Sequence, residues 1–540
     1  MSVDPTAVSG AGPLARGAAM ITIATAVSRA TGFLRVVVVA AAMGTTFLAN
    51  TYQTANTAPN VVFELVAAGV LTSIFVPTFV EYLVKGRREE GWRAANALTS
   101  VALVGLVALA LLLALLAPLV MRALTLGVRD TSLRDAQISL GTTFLRLFAP
   151  QIVFYGVGMI MTGALQAQRR FVLPAVAPIF NNVVVIAVYL AYAMMRGDRP
   201  PSVGGITPAE TLVLGAGTTL GVVAMTICLV PSLRRAGWRF RFSFDARHPA
   251  VRRGARLGAW ALGYAGGYQA GLIVVLILAN RVEGGVAAYQ WAYTFFYLPH
   301  ALFAVPIFSV LFTAMSEHVA RDEEDAMVER LRDGLSMLAF ILLPMAAVMA
   351  ATAEPLAGVT LRFGAMTDAG ADLVARVLIG FVVGLPGYSA FLVFTRAYYA
   401  MGDTRTPTLV NLGTVIVSSV AGAALFFALP DDWAVPGLAV GHSLGFTAGA
   451  ALIARLFFRR MGARGATLTR SSIVASFVDA AVALAAMLAV AAAMPGGGKA
   501  ADLGRLLVAA GAGAVVYGAL AARRRAPELV RMVELVRRRR

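Results

Sequence analysis

Two apolar stretches near the N-terminus decide the fold. They read TIATAVSRATGFLRVVVVAAAMG (22–44) and TFLANTYQTANTAPNVVFELVAAGVLTSIFVP (46–77). The first contains Arg29 and Arg35, and the second contains Glu64. A charge at the centre of a membrane helix costs about 2.5–3.5 kcal/mol on insertion scales, so such residues usually face a bundle interior or a water-filled cavity. The two stretches therefore predict a helical membrane protein with a polar interior.

The composition of the whole chain agrees with this prediction. Of the 540 residues, 59% are hydrophobic and 14% are charged, whereas a soluble domain averages about 25% charged residues. About 20 apolar residues are needed for a helix to cross the hydrocarbon core. The segments long enough to do so number fourteen, at approximately 18–43, 47–83, 95–121, 136–165, 171–195, 210–233, 257–280, 286–316, 334–353, 371–400, 407–429, 435–458, 471–494 and 502–522. We therefore expect an all-α integral membrane protein.

The net charge of +18 follows the loops between these segments. Alternate loops, with the N-terminal region and the C-terminal tail, hold 32 of the 46 basic residues, and the other loops hold 10. Because basic residues are enriched in cytoplasmic loops, both termini are predicted to be cytoplasmic. This distribution explains the charge without nucleic acid as a partner. The basic tail either contacts anionic lipid headgroups or is a solvated topology signal.

The helix and charge patterns also predict a division of the chain into two lobes and smaller parts. Transporters are often built from paired bundles with a binding site at their interface. The predicted parts are a disordered leader (1–17), an N-lobe of six helices (18–236), a basic cytoplasmic linker (237–256), a C-lobe of six helices (257–460), a C-terminal helix pair (461–523) and a basic cytoplasmic tail (524–540).

Arg29 and Arg35 are the leading candidates for a binding site. At 1.5 Å per residue, Arg29 lies roughly 16 Å into the first helix and Arg35 about 9 Å further on, roughly 120° apart around the axis. One interpretation pairs Glu64 with one arginine to lock two helices together. The other makes the arginines a cationic site for an anionic headgroup, with Glu64 as counter-ion or proton carrier. Arginine suits phosphate because its planar fork stays charged and donates in pairs.

Other patterns add one candidate residue and exclude several chemistries. Arg281, at the end of the seventh segment, is either an interfacial residue that snorkels or a further cavity residue. Gly441-His442-Ser443-Leu444-Gly445 matches a hydrolase motif, but that motif needs a strand–turn–helix context and here lies in an apolar helical run. The four histidines lack metal-ligand spacing, and no ATPase motif is present. We expect no enzyme activity, cofactor or metal, and transport driven by an ion gradient or the membrane potential.

Four motifs, which follow one another in order along the chain, resemble the MurJ/MviN family of lipid II flippases, in the MOP exporter superfamily. They are SRATGFLR (28–35), APNVVFEL with GVLTSIFVP (58–77), GALQAQRRFVLPAVAPIFNN (163–182) and RAYYAMGDTRTP (396–407). The resemblance implies fourteen helices, two lobes around a V-shaped cavity and two additional C-terminal helices. It also implies a multi-pass protein of the bacterial plasma membrane, with Arg29 and Arg35 at the family's first-helix arginine positions and Asn60 in its second-helix motif.

The resemblance also sets the functional expectation. It implies an alternating-access flippase that moves undecaprenyl-pyrophosphate-linked peptidoglycan precursor, lipid II, from the cytoplasmic to the outer leaflet. The chain departs from many relatives at Phe63 and Glu64, where they have an arginine, and at Tyr293 and Thr294, where they have an acidic–arginine pair. The alternatives are a flippase for another polyprenyl-linked glycan, a MOP-type drug exporter, or a non-transporting scaffold. Expected partners are the glycolipid, membrane lipids and cell-wall synthesis proteins.

Overall fold

The computed structural model describes residues 11–66, 88–243, 265–462, 470–495 and 497–537. Within these ranges every regular element is helical and none is a strand. The chain divides into two compact units, Met1–Gly266 and Gly267–Arg540. The finer division into leader, linker, helix pair and tail stays a prediction.

The first unit contains eight described helices. They are α1 (Ala11–Met43), α2 (Phe47–Val66), α3 (Arg88–Leu124), α4 (Thr131–Phe148), α5 (Gln151–Ala167), α6 (Val172–Arg196), α7 (Pro208–Ile227) and α8 (Val230–Arg235). Helix α6 packs against both α1 and α7, and α2 packs against α4 and α5. Helix α1 begins at Ala11, so it includes residues 11–17, which the sequence analysis placed in a disordered leader.

The second unit contains twelve described α-helices. They are α9 (Ala265–Ala279), α10 (Gly285–Pro299), α11 (Val305–Ala320), α12 (Glu324–Ala351), α13 (Ala353–Leu361), α14 (Asp368–Val382), α15 (Leu385–Ala400), α16 (Arg405–Ala428), α17 (Asp431–Met461), α18 (Arg470–Ala493), α19 (Lys499–Arg523) and α20 (Pro527–Arg537). A π-helical turn, His300–Ala304, joins α10 to α11. Helices α18 and α19 pack on each other, and α18 also packs against α12.

The predicted all-α membrane architecture is confirmed. In the described ranges, eleven helical segments are long and apolar enough to cross a membrane, and twelve if α14 and α15, bent by 46°, form one span. The two remaining predicted segments, 47–83 and 257–280, extend into residues outside the described ranges. What the structure describes of them is α2, with Pro59 inside it, and α9.

Glycines spaced four residues apart bring α17 unusually close to α16. A Cβ on Gly445 would overlap the Ser418 hydroxyl and lie 2.7 Å from the Thr414 carbonyl oxygen. A Cβ on Gly441 would overlap the backbone of Gly422. Small residues at such positions let membrane helices approach until their backbones touch, which maximises van der Waals contact where lipid supplies no hydrophobic driving force.

This packing explains the hydrolase-like motif. Ser443 lies within α17 and its Oγ donates to the carbonyl oxygen of Gly380, 2.7 Å away. The two motif glycines face α16 and Ser443 faces α14, so the motif joins three helices.

The turn before α16, which carries the fourth family motif, is fixed by Asp403. Its carboxylate accepts from the Thr406 backbone N–H at 3.0 Å and the Thr406 hydroxyl at 2.8 Å. Arg460, at the end of α17, pairs with it at 3.1 Å. Partial burial opposes ionisation, but these hydrogen bonds and the Arg460 charge lower the pKa of Asp403 below its ordinary value of 3.8. The turn is thereby tied to the end of α17.

Gly445→Ala is expected to destabilise the protein, whereas Gly413→Ala on α16 is not. A methyl group at Gly445 has no room, and overpacking of this kind costs about 1–3 kcal/mol. A Cβ on Gly413 meets nothing within 4 Å, so alanine there should be neutral or slightly stabilising. Thermal unfolding of the detergent-purified variants measures the difference, and equal melting temperatures for the two would contradict the close α16–α17 contact.

Candidate functional site

Helix α1 has one face of exposed apolar side chains. Met20, Ile23, Val27 and Leu34 recur at helical spacing and are 44–63% exposed. Such a stripe is the face that a membrane helix presents to acyl chains. At 100° per residue, Arg29 lies roughly 150° and Arg35 roughly 90° from the centre of this stripe. Both arginines are half-buried, and neither lies on this stripe.

A hydrogen-bonded contact with α6 fixes the rotation of α1 next to Arg29. The Asn182 amide donates to the Ser28 carbonyl oxygen at 3.2 Å and to the Thr31 hydroxyl at 3.0 Å. Ser28 and Thr31 flank Arg29 in the first family motif, and Asn182 ends the third. Two of the motifs therefore meet in space, and their contact sets which way the first arginine points.

Arg35 lies within electrostatic range of tyrosines on three other helices. These are Tyr52 on α2, Tyr155 on α5 and Tyr189 on α6. The Tyr52 hydroxyl lies 3.1 Å from that of Tyr189 and 2.6 Å from the Thr218 hydroxyl on α7. We call these four hydroxyl-bearing residues the tyrosine cluster. Its hydroxyl groups are neutral dipoles, so they do not cancel the charge of Arg35.

No carboxylate neutralises Arg35 in the described part of the chain. Glu64 is exposed on α2, and no ion pair joins it to Arg35 or Arg29 there. The interpretation of Glu64 as an ion-pair lock thus has no support in this geometry. Asn60 is half-buried, and its amide donates to the Asn56 carbonyl oxygen of its own helix at 2.8 Å. Among the described residues, the charge of Arg35 is therefore partly buried and not neutralised.

Arg281 lies in the second unit, in the turn between α9 and α10. Its guanidinium is 5.1 Å from the ring centroid of Phe427 and 5.9 Å from that of Phe426, both at the end of α16. Cation–π contacts act at about this distance. This placement fits the interpretation of Arg281 as an interfacial residue.

The tyrosine cluster is the part of the site that sequence reasoning missed. Its only signal was a set of hydroxyl-bearing residues inside otherwise apolar segments. No group of three or more His, Cys, Asp or Glu that could hold a metal occurs among the described residues. The arrangement can hold an anion through one or two guanidinium groups backed by hydroxyls.

Comparison with known proteins now places the chain in a family. The family model described as "Lipid II flippase MurJ" matches residues 39–498. The chain belongs to the MurJ lipid II flippase family. The "Probable lipid II flippase MurJ" of Rhizobium meliloti is 27% identical over 470 residues, which cover 87% of this chain and 85% of that protein. The "Lipid II flippase MurJ" of Burkholderia cenocepacia is 26% identical over 461 residues, which cover 83% and 84%.

Solved structures show that the MurJ fold extends over nearly the whole chain. A structure described as "Lipid II flippase MurJ, inward closed conformation" has a TM-score of 0.75 and 19% sequence identity, and the match covers 93% of this chain and 98% of that one. An inward-facing MATE family transporter of the MOP superfamily has a TM-score of 0.64 at 12% identity. The predicted family and superfamily fold are therefore confirmed.

Removal of the Tyr52 hydroxyl is expected to loosen the first unit measurably but modestly. Tyr52→Phe removes the group that joins α2 to α6 and α7. Hydrogen bonds between membrane helices contribute about 0.6 kcal/mol on average and up to about 1.7. We expect a lower melting temperature for Tyr52→Phe than for Tyr399→Phe, whose hydroxyl has no hydrogen bond among the described residues. A Tyr52→Phe variant as stable as the wild type would show that the cluster does not join these helices.

Proposed function

We propose that this MurJ family protein moves lipid II from the cytoplasmic to the outer leaflet of the bacterial plasma membrane by alternating access. The family match over residues 39–498 supports this function. The observation that carries the mechanism is the half-buried guanidinium of Arg35, which lies off the apolar stripe of α1 and has no carboxylate partner among the described residues. Both termini are then cytoplasmic, since that orientation puts the arginine-rich loops inside.

The chemistry of the cargo fits this charge. A pyrophosphate carries several negative charges on oxygens that a guanidinium fork can contact in pairs. In the low dielectric of a membrane protein such contacts are stronger than in water. Arg35 has no carboxylate partner among the described residues, so no described acid has to be displaced before a headgroup reaches it. Arg29, about nine ångströms nearer the N-terminal end of α1, also lies off the apolar stripe and is the second proposed contact.

The direction of transport follows from where the charge moves. Arg29 and Arg35 attract the pyrophosphate from the cytoplasmic side, and rocking of the two lobes then exposes the headgroup outside while the lipid tail stays in the bilayer. With an interior-negative membrane potential, an anion moving outward gains about 2.3 kcal/mol per charge per 100 mV. The potential can therefore favour net export without nucleotide hydrolysis.

Loss of both first-helix arginines is expected to slow transport strongly. Purified Arg29→Ala/Arg35→Ala protein in liposomes with labelled lipid II should move the lipid at least tenfold more slowly than wild type, since the loss of even one charge-assisted contact, about 1.5–3 kcal/mol, gives that factor. The matched control is Arg321→Ala/Arg405→Ala, which removes two exposed arginines of the second unit, one just after α11 and one at the start of α16.

Three outcomes distinguish the candidate functions. Transport that is lost only in the first-helix variant supports the proposal. Unchanged transport in that variant shows that the site is elsewhere. A wild-type protein that moves no lipid II favours the scaffold, a drug exporter or a flippase for another polyprenyl-linked glycan, which the same assay with those cargoes separates.

Glu64 is the proposed proton carrier, because it is an exposed acid on α2 with no ion-pair partner in the described ranges. If proton binding at Glu64 drives a step, the rate of lipid II transport should depend on pH in wild type and become nearly independent of pH in Glu64→Gln. The flipping assay repeated across a pH series measures this. A pH dependence that survives the substitution would remove Glu64 from the mechanism.

A further inference from the structure

A groove opens at the arginine-rich end of the first unit, away from α1. It lies between α3, α5, α8 and the segment that follows α8, and its volume is about 770 Å³. This is within the range of about 300–1,000 Å³ of small-molecule sites. Its walls are mainly apolar, with Leu103, Val157, Met161 and Leu233 among them, and no residue of α1 lines it.

The segment after α8 forms one wall and is held firmly in place. This aromatic segment, residues 238–243, reads Trp-Arg-Phe-Arg-Phe-Ser. The indole N–H of Trp238 donates to the Asn96 side-chain oxygen at 2.8 Å, and the Asn96 amide donates to the Arg239 carbonyl oxygen at 3.3 Å. The Ser243 N–H donates to the Ser100 hydroxyl at 2.9 Å. Because α3 anchors both ends, the wall is built before any ligand arrives.

Aromatic and basic side chains alternate along this segment and project outward. Phe240 is 48% exposed and Phe242 is 61% exposed. Arg239 lines the groove together with Arg234 of α8, and both guanidinium-bearing residues are exposed. Neither forms an ion pair with a carboxylate in the described ranges. The groove thus combines an apolar interior with a positive rim and exposed rings.

We propose that this groove binds an anionic phospholipid of the surrounding membrane, separate from the transported cargo. One acyl chain lies along Leu103, Val157 and Met161, and the headgroup phosphate binds between Arg234 and Arg239. Basic pockets between membrane helices bind anionic headgroups in this way. The phenylalanine rings sit at the headgroup–acyl boundary, where aromatic side chains are favoured.

The occupant is a lipid because the groove has an apolar interior and a positively charged rim. One molecule must therefore carry both an apolar chain and a negative charge. A soluble anion would leave the apolar interior unfilled. A neutral lipid would leave two guanidinium groups without a counter-charge. A nucleic acid would gain nothing from a groove whose walls are aliphatic. An anionic phospholipid satisfies the interior, the rim and the exposed rings together.

Lipid retention measures the proposal without any transport assay. The full-length protein is reconstituted in vesicles of equal phosphatidylglycerol and phosphatidylcholine, extracted gently, and weighed with its bound lipids by native mass spectrometry. Wild type is compared with Arg234→Gln/Arg239→Gln, with Leu103→Trp, which fills the groove, and with the control Arg321→Gln/Arg405→Gln, which loses the same charge elsewhere. Thermal unfolding of each variant checks that the fold is intact.

The expected result is that wild type and control retain phosphatidylglycerol over phosphatidylcholine, and that both groove variants lose this preference by roughly tenfold. Equal loss in the control would overturn the proposal, because it would reduce the effect to net charge. No preference in wild type would also overturn it. Displacement of the retained phosphatidylglycerol by lipid II, one molecule for one, would assign the groove to the cargo instead of a resident lipid.

Discussion

Function in this protein requires a guanidinium group that stays charged inside a membrane helix. An unpaired charge at that depth is costly, and an ion pair would reduce the cost while abolishing the positive potential. The tyrosine cluster offers a third solution. Tyrosines of α2, α5 and α6 lie within electrostatic range of Arg35, and Tyr52 and Tyr189 are hydrogen bonded to each other, so neutral dipoles and not a carboxylate stand near the charge among the described residues. A site built in this way keeps its attraction for an anion.

Helix packing supports that arrangement in two different ways. In the first unit, side-chain hydrogen bonds such as Asn182 to Thr31 fix the rotation of one helix against another. In the second unit, the glycines of α17 allow backbone contact with α16. Hydrogen bonds specify rotation and small residues specify distance, and each matters more in lipid because apolar surfaces there do not associate through the hydrophobic effect.

The sequence predicted the helices, the membrane class and the family, because length, hydropathy and local motifs are properties of single segments. It also predicted that Arg29 and Arg35 lie roughly 120° apart around the axis of the first helix, since helical periodicity gives directions around one axis. It could not predict the tyrosine cluster. Tyr52 and Thr218 are 166 residues apart, and their contact depends on the relative rotation of two helices. The suggested pairing of Glu64 with an arginine also depends on how two helices are rotated relative to each other, and it has no support among the described residues.

The hydrolase-like motif also shows that a local sequence pattern cannot be interpreted without its packing partners. The letters of Gly441-x-Ser443-x-Gly445 are identical for a nucleophile turn and for a packed helix. Only the neighbours decide, and here they are Gly422, Ser418 and the carbonyl oxygen of Gly380. A short motif of this kind is therefore weak evidence for a catalytic function until the residues that contact each of its positions are known.

Cysteine accessibility tests the central claim most directly. Cys228 is the only cysteine, so a Cys228→Ser background allows Arg35→Cys and its neighbour Leu34→Cys to be compared with a charged, membrane-impermeant thiol reagent. The account predicts that the cysteine at position 35 reacts, because it faces a wet, anion-attracting interior, and that the one at position 34 does not, because it faces acyl chains. Equal labelling at both positions, or labelling at position 34 alone, would contradict it.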